Sequence, residues 1–307
     1  MDESELNNRW RNPLISILIT LLFFFLGFQV IGPAIGAFIA LPFYPGTETE
    51  LMAALSNPTS DPAMRVPLFI MQATGVLFGM ILLPWWLLRK QGRTLPDLFH
   101  TPHFRPMVII PVLVVIFMGV NSILIRWNEN ISLPFGMEEW ARPMEEKLAE
   151  VTLYLTQYES VVQMILAFMV VAVLPGIGEE IVFRGMIQND LFRATRNPHV
   201  AIWFSAFIFS AIHFQFYGFF PRMFLGALFG YLYFWSGNLW MPVLAHFANN
   251  GFTLASLYFV QRGTIPVDMD NVELSASQVL FSAGFSALLI YAYRSFYNTR
   301  PKADIPD

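Results

Sequence analysis

The sequence predicts an all-α, polytopic membrane protein with about eight transmembrane helices in one bundle. Three observations point there. Of the 307 residues, 55% are hydrophobic and only 13% are charged, against about 25% charged in soluble domains. Mean hydropathy is +0.52. Long uncharged stretches recur at lengths near the roughly 20 residues that a bilayer core of about 30 Å requires of a helix. A soluble fold could not hide so much apolar side chain, because over half of an ordinary folded surface is apolar already. This composition excludes a secreted enzyme, a nucleic-acid-binding domain and a disordered linker. The net charge of -4 argues further against nucleic acid as a partner. No cysteine is present, which removes thiol nucleophiles, disulfides and cysteine-ligated metals.

The expected spans are residues 13–43, 66–88, 106–126, 161–178, 199–215, 219–236, 239–261 and 276–295. The first exceeds the apolar core of a signal peptide, about 7–15 residues, and is expected to stay as a helix. Between His199 and Val260 the only charge is Arg222, and turn formers at Tyr217-Gly218 and Ser236-Gly237-Asn238 divide that region into three spans. Alternate connections differ in charge. Arg9, Arg11, Arg89, Lys90, Arg93, Arg105, Arg184, Arg193, Arg196, Arg300 and Lys302 fall on one side. Glu48, Glu50, Asp61, the glutamates between 138 and 150, Asp268, Asp270 and Glu273 fall on the other. Because basic loops stay cytoplasmic, both termini are expected in the cytoplasm, with the plasma membrane of a bacterium as the expected location. Residues 143–155 read as an amphipathic outer helix starting at Pro143, with Met144, Leu148, Val151 and Leu155 on one face.

The chain divides into a cytoplasmic tail (1–12), a first group of membrane helices (13–160), a chemistry-bearing core (161–260), and a last helix with its tail (261–307). Ionisable groups within spans are costly and face the bundle interior, so they mark candidate sites. Residues 175–184 read Pro-Gly-Ile-Gly-Glu-Glu-Ile-Val-Phe-Arg. The Pro-Gly-x-Gly run should break or kink the helix. After it, Glu180 and Arg184 are i,i+4 partners that can form an ion pair. Glu179, about 100° around the helix, is left free for chemistry. Taken alone, two acids at a helix start favoured by its dipole are the stronger explanation. Phe209-x-x-x-His213 places a histidine at the end of an apolar helix, where packing is the commoner role. His246-x-x-x-Asn250 puts two neutral donors on one helix face, able to hold an oxyanion or to hydrogen-bond a neighbouring helix. Gly32-x-x-x-Gly36 and Gly226-x-x-x-Gly230 read as helix contacts. Trp85, Trp86 and Trp240 read as interfacial anchors. Arg222 reads as a snorkelling side chain near an outer boundary, with a substrate-carboxylate role as the lesser alternative.

Together, Glu179-Glu180-x-x-x-Arg184, Phe209-x-x-x-His213 and His246-x-x-x-Asn250, in that order, resemble the three motifs of the CAAX prenyl protease and bacteriocin-processing (Abi) family. Its eukaryotic relatives are type II CAAX prenyl endopeptidases. The resemblance covers about residues 160–260. It implies an eight-helix, glutamate-dependent intramembrane endopeptidase acting on a peptide or membrane-protein substrate, a prenylated CAAX peptide being the eukaryotic case. In that family the residue at Glu179 activates water with help from the one at His213. Those at His246 and Asn250 form an oxyanion hole, and Glu180 and Arg184, with Phe209, support the site. No cofactor is favoured. Zinc held by Glu179, His213 and His246 is the alternative, although it would leave only Glu180 as base.

One spatial tension accompanies this reading. The expected spans put Glu179 near the cytoplasmic face and His213 near the far end of the next span, about 21 Å along a helix from His199. A deeper motif helix, or a tilted or later fifth span, would bring them together. Two competing functions are a non-catalytic immunity or scaffold protein of the same fold and, less favoured, a transporter, for which no inverted repeat is visible. Membrane lipid is the expected surrounding partner, and no oligomeric state is assigned.

Overall fold

The computed structural model describes residues 11–158, 160–264 and 274–298. All elements among them are helical. Ten helices carry the architecture: α1 Pro13–Phe43, α2 Glu48–Ala54, α3 Pro62–Lys90, α4 Phe104–Glu129, α5 Glu138–Leu155, α6 Val161–Thr195, α7 Pro198–Ala211, α8 Phe219–Ser236, α9 Trp240–Gln261 and α10 Ala276–Asn298. Of the eight expected spans, the helices α1, α3, α4, α6 and α10 are long and apolar enough to cross a bilayer. The other three are also helical. However, α7 has only 14 residues, and α8 and α9 carry the polar groups that lower their apolarity. Arg9, Asp268, Asp270, Glu273, Arg300 and Lys302, used above to set the orientation, lie outside the described residues, as does most of the 1–12 tail.

The exposed surface is that of a molecule solvated by lipid. Leu18 and Leu280 are 67% and 73% exposed, while Ser16 and Ser286, on the opposite faces of the same helices, are 0% and 3% exposed. Apolar side chains out and small polar ones in is the inverse of a soluble helix. It is stable only where the surroundings are hydrocarbon and polar groups seek partners inside. The chain is an integral membrane protein of the all-α class.

Local sequence explains the main elements. Asn12 caps α1, its Oδ1 accepting from the N–H groups of Leu14 at 3.0 Å and Ile15 at 3.3 Å, and Pro13 opens the helix with fixed φ. A capping box of Thr47 and Glu50 starts α2. The Thr47 N–H and hydroxyl hold the Glu50 carboxyl below its ordinary range. Helices α1 and α3 pack closely because glycines meet there. A Cβ on Gly32 would lie 2.5 Å from Gly75 Cα, and one on Gly36 would strike Thr74 and Met71. Both helices carry a π-turn at the contact, Leu26–Ile31 and Leu77–Leu82.

Three expectations change. Helix α5 starts at Glu138, five residues before Pro143, because the turn at Gly136 (φ +71°) delivers Glu138 and Glu139 to a helix N-terminus that favours acids. Of its expected apolar face, Leu155 and Val151 join a cluster with Phe69 and Tyr154, whereas Met144 and Leu148 remain exposed. The fourth span does not end at residue 178. Helix α6 continues for 35 residues to Thr195, about 52 Å at 1.5 Å per residue. Arg184 is consequently a buried interior residue and not part of a basic loop. The fifth span ends early, at Ala211. Residues 212–214 form a turn, with Phe214 at φ +54°, so His213 sits on that turn and not within a helix.

Candidate active site

The site is built around the middle of α6. The expected break at Pro175 does not occur. A π-turn, Phe168–Val173, precedes it, and Pro175 sits in the first turn of the following α-segment, Leu174–Glu180. Proline has no N–H to give the carbonyl four residues back, here that of Val171. Asn250 Nδ2 approaches that carbonyl at 3.4 Å. A second π-turn, Ile181–Gln188, follows the glutamates. Short π-turns of this kind commonly sit at functional sites. The glutamates are therefore interior residues of one long helix and not the opening of a new one.

This placement resolves the spatial tension. Helix α7 folds back along the second half of α6, with Ser205 Oγ donating to the Phe183 carbonyl at 2.9 Å and the Phe183 and Phe209 rings 5.2 Å apart. Counting back from these two contacts along the antiparallel pair sets His213 between Pro175 and Glu179.

Glu180 is fully buried. Its Oε1 accepts from Arg184 Nη1 at 2.8 Å and from His246 Nδ1 at 2.8 Å. Arg184 Nη2 donates to the Gly226 carbonyl at 2.9 Å, and the guanidinium lies 4.7 Å from the Phe209 ring centre and 5.6 Å from that of Phe229. The Gly226-x-x-x-Gly230 pair makes this approach feasible. A Cβ at Gly226 would sit 3.3 Å from Arg184 Nη2, and Gly230 lends its own carbonyl to Gln188 Nε2 at 3.1 Å. The two glycines thus supply carbonyl acceptors for polar side chains of α6 as well as a packing surface.

Glu179 is 8% exposed and its Oε2 has no hydrogen-bond partner. The nearest basic atom in its ion-pair range is His246 Nε2, at 3.8 Å. His246 therefore stands between the two carboxylates, bonded to one and facing the other. With Nδ1 bound to a carboxylate oxygen, its Nε2 is a lone-pair acceptor in the neutral ring and a donor in the imidazolium. His213 Nδ1 donates to the Phe209 carbonyl at 2.7 Å, which leaves its Nε2 as the free lone pair. Phe209 is the spacer between the two histidines, 5.0 Å from one ring and 6.1 Å from the other.

The structure thus brings Glu179, Glu180, Arg184, Phe209 and His246 into direct contact and sets His213 beside them across Phe209. Asn250 faces α6 one turn further along, with its amide on Val171 and its Oδ1 accepting from Asn249 Nδ2 at 3.0 Å. Of the residues of the zinc alternative, Glu179 and His246 face each other at 3.8 Å and His213 stands on the other side of the Phe209 ring. Among the described residues no group of three or more His, Asp or Glu side chains is placed to hold a metal ion. Phe229, 5.4 Å from His246, and the Val171 carbonyl belong to the site but carry no sequence signal of their own. Pro175 is the one clue to the latter. Arg222 does not snorkel freely. Its Nη1 is shielded without a partner, and its charge reaches both Glu179 and His213.

Comparison with known proteins bears on the same segment. Residues 161–252 match the family model described as Type II CAAX prenyl endopeptidase Rce1-like. The chain is 34% identical over 73 residues to "Uncharacterized protein YpbD" of Bacillus subtilis (strain 168), an alignment covering 22% of this chain and 34% of that protein. The chain thus spans about a third of the curated relative it matches. No solved structure matches. The matched segment runs from the start of α6 into α9 and holds every residue of the buried cluster, so the part of this membrane protein that is similar to the Rce1-like type II CAAX prenyl endopeptidase model is the part that carries the site.

Proposed function

We propose that this chain is an intramembrane endopeptidase that hydrolyses a peptide bond of a membrane-associated substrate with water activated by Glu179. The observation that carries the proposal is the unequal treatment of two adjacent carboxylates. Both carboxylates have an Oε2 that is shielded without a hydrogen bond, but Glu180 is bonded through Oε1 to Arg184 and His246, whereas no hydrogen bond is made by Glu179 among the described residues. A base works best where no cation is already bonded to it, and Glu179 is the carboxylate of that kind.

The 3.8 Å between Glu179 Oε2 and His246 Nε2 is too long for a direct hydrogen bond and suits a bridging water. Glu179 accepts a proton from that water as its oxygen attacks the scissile carbonyl. His213 Nε2, whose tautomer is set by the Phe209 carbonyl, orients the water's other hydrogen. The carbonyl oxygen gains negative charge. His246 donates Nε2–H to it as an imidazolium, which the ionised Glu180 stabilises, and Asn250 contributes its amide by turning from its long contact with Val171. Glu179 then hands its proton to the leaving nitrogen as the C–N bond breaks. Residues 161–260 act as the catalytic core, and the helices before and after them form its wall. The reaction as proposed uses no metal.

Substitution of one atom type tests this directly. Glu179→Gln keeps shape and removes the base, so cleavage should fall about 10²–10⁴-fold while circular dichroism and detergent-solubilised yield are unchanged. The measurement is terminal-peptide mass spectrometry of membranes holding either form. New peptide ends produced equally by both would sink the assignment and favour a non-catalytic role.

A further inference from the structure

Helix α5 joins the ends of two helices that are long and apolar enough to cross a bilayer, α4 and α3. Its first turn stands beside the end of α4. The Trp140 ring lies 5.1 Å from that of Phe216, whose carbonyl accepts from Asn128 Nδ2, in the last turn of α4, at 2.8 Å. Its last turn stands at the start of α3, where Tyr154 Oη donates to the Asp61 carbonyl at 2.7 Å, one residue before α3 opens at Pro62. One turn earlier, Glu150 Oε1 accepts from Thr59 Oγ1 at 2.5 Å. Because α3 and α4 are consecutive spans, the start of the one and the end of the other lie on the same side of the bilayer. A helix of 18 residues, about 27 Å long, tied to both of these points runs along the membrane surface and not through it.

The sides of α5 differ. Ala141, Tyr154 and Leu155 are buried against the bundle. Trp140, Met144 and Leu148, spaced by four and so one above another on the helix, are 49%, 38% and 37% exposed. Glu139, Glu146 and Glu150 are exposed on the far side. Two further large apolar side chains lie close in the chain. Trp127 of α4 packs on Phe220 at 4.9 Å and is 52% exposed, and Phe135, between α4 and α5, is 99% exposed. Water disfavours a patch of this kind. Tryptophan is enriched where a bilayer meets water, and an apolar row opposite a charged side suits a helix lying in that plane. We propose that α5 is an interfacial helix whose Trp140, Met144 and Leu148 row is embedded in the leaflet at that end of the bundle. Lipid is the occupant because the row continues a wall already exposed to it, from Ile123 and Trp127 of α4, while the carboxylates on the far side keep their water. The inference goes beyond the catalytic reading and stands apart from it.

The chain contains no cysteine, so a single introduced thiol can be labelled alone. Full-length Met144→Cys, Leu148→Cys and Glu146→Cys proteins, each carrying a nitrobenzoxadiazole dye, are reconstituted at one chain per phosphatidylcholine nanodisc. At positions 144 and 148 the emission should shift to the blue and be quenched by phosphatidylcholine bearing a nitroxide near its headgroup. At position 146 it should stay at the wavelength of the dye in water and be quenched by a water-soluble nickel chelate. The disc holds neither a substrate nor a second chain, so shielding there comes from lipid. All three side chains replaced are exposed, and two positions on the row guard against misfolding caused by either one. An equal response at the three positions, to either quencher, would overturn the proposal. So would shielding of positions 144 and 148 that appears only when a disc holds two chains, because the row would then be covered by another copy of this protein.

Discussion

Arg184 shows how one side chain sets the roles of its neighbours. Its fork joins Glu180 to the Gly226 carbonyl, and its flat face lies over Phe209. Replacing it by lysine keeps the charge and loses both the second bond and the stacking. Replacing it by alanine strands Glu180 in a fully buried position. Loss of one partner of a buried pair costs about 3–5 kcal/mol. Arg184→Ala should therefore lower the thermal unfolding midpoint sharply in detergent, and Arg184→Met combined with Glu180→Gln should recover much of the loss, because no ion is left alone. A midpoint unchanged in Arg184→Ala would show that the pair does not hold the fold. At this scale the sequence is informative. The i,i+4 spacing of Glu180 and Arg184 announces their pairing, and the 100° offset of Glu179 announces that it escapes it. The partnership of His246 with Glu180 is not legible, because the two are 66 residues apart and only packing of α9 on α6 joins them. The shielding of Arg222 is hidden for a similar reason, since it depends on how residues 214–218 turn.

Among elements, α6 departs most from expectation. A Pro-Gly-x-Gly run ordinarily signals a helix end, yet the helix passes through it. The flanking π-turns accommodate the proline, and α9 offers Asn250 to the carbonyl that the proline leaves without its usual donor. Such rescue by a neighbouring helix is characteristic of lipid surroundings, where water cannot serve. It implies a coupling between two distant positions. Asn250→Ala should cost about 0.5–1.5 kcal/mol of stability, and less when Pro175→Ala restores an N–H to α6. A double-mutant cycle on unfolding free energies reads the difference, and additive effects would refute the link. The charge of the segment after residue 178 also conceals the continuation, since the glutamates and Arg184 look like a loop when their buried pairing is unknown.

For the whole molecule, tension between apolar surroundings and polar interior is met by clusters that tie several helices at once. One lies at the end of α6 away from its start. Asp190 is fully buried and receives Ser16 Oγ of α1 at 2.5 Å and Arg193 Nη1 at 3.0 Å. Ser16 in turn accepts Gln91 Nε2 at 2.6 Å, just past α3. Asp190→Ala should loosen the packing of α1, α3 and α6 together and lower the unfolding midpoint. Its effect on cleavage per folded molecule should be small, since ten residues of helix, about 15 Å, separate it from Glu180. Hydrogen exchange of α1 and α3 amides would reveal the loosening, and unaltered exchange would count against a shared clamp. At the opposite end of α6, Tyr158 N–H donates to Gln261 Oε1 at 3.2 Å, and Gln261 Nε2 to the Thr156 carbonyl at 3.0 Å. The general class of the molecule was readable from composition alone, whereas these ties, between residues far apart in sequence, were not. With α6 anchored at both ends, its rotational phase is fixed between them. Deleting a single residue from Phe168–Val173 would turn the following segment by about 100° and present Glu180 where Glu179 now stands. Which glutamate faces His246 Nε2 is thus decided by one extra residue in a π-turn more than a turn upstream, so the chemistry of the pair is as sensitive to the length of α6 as to its composition.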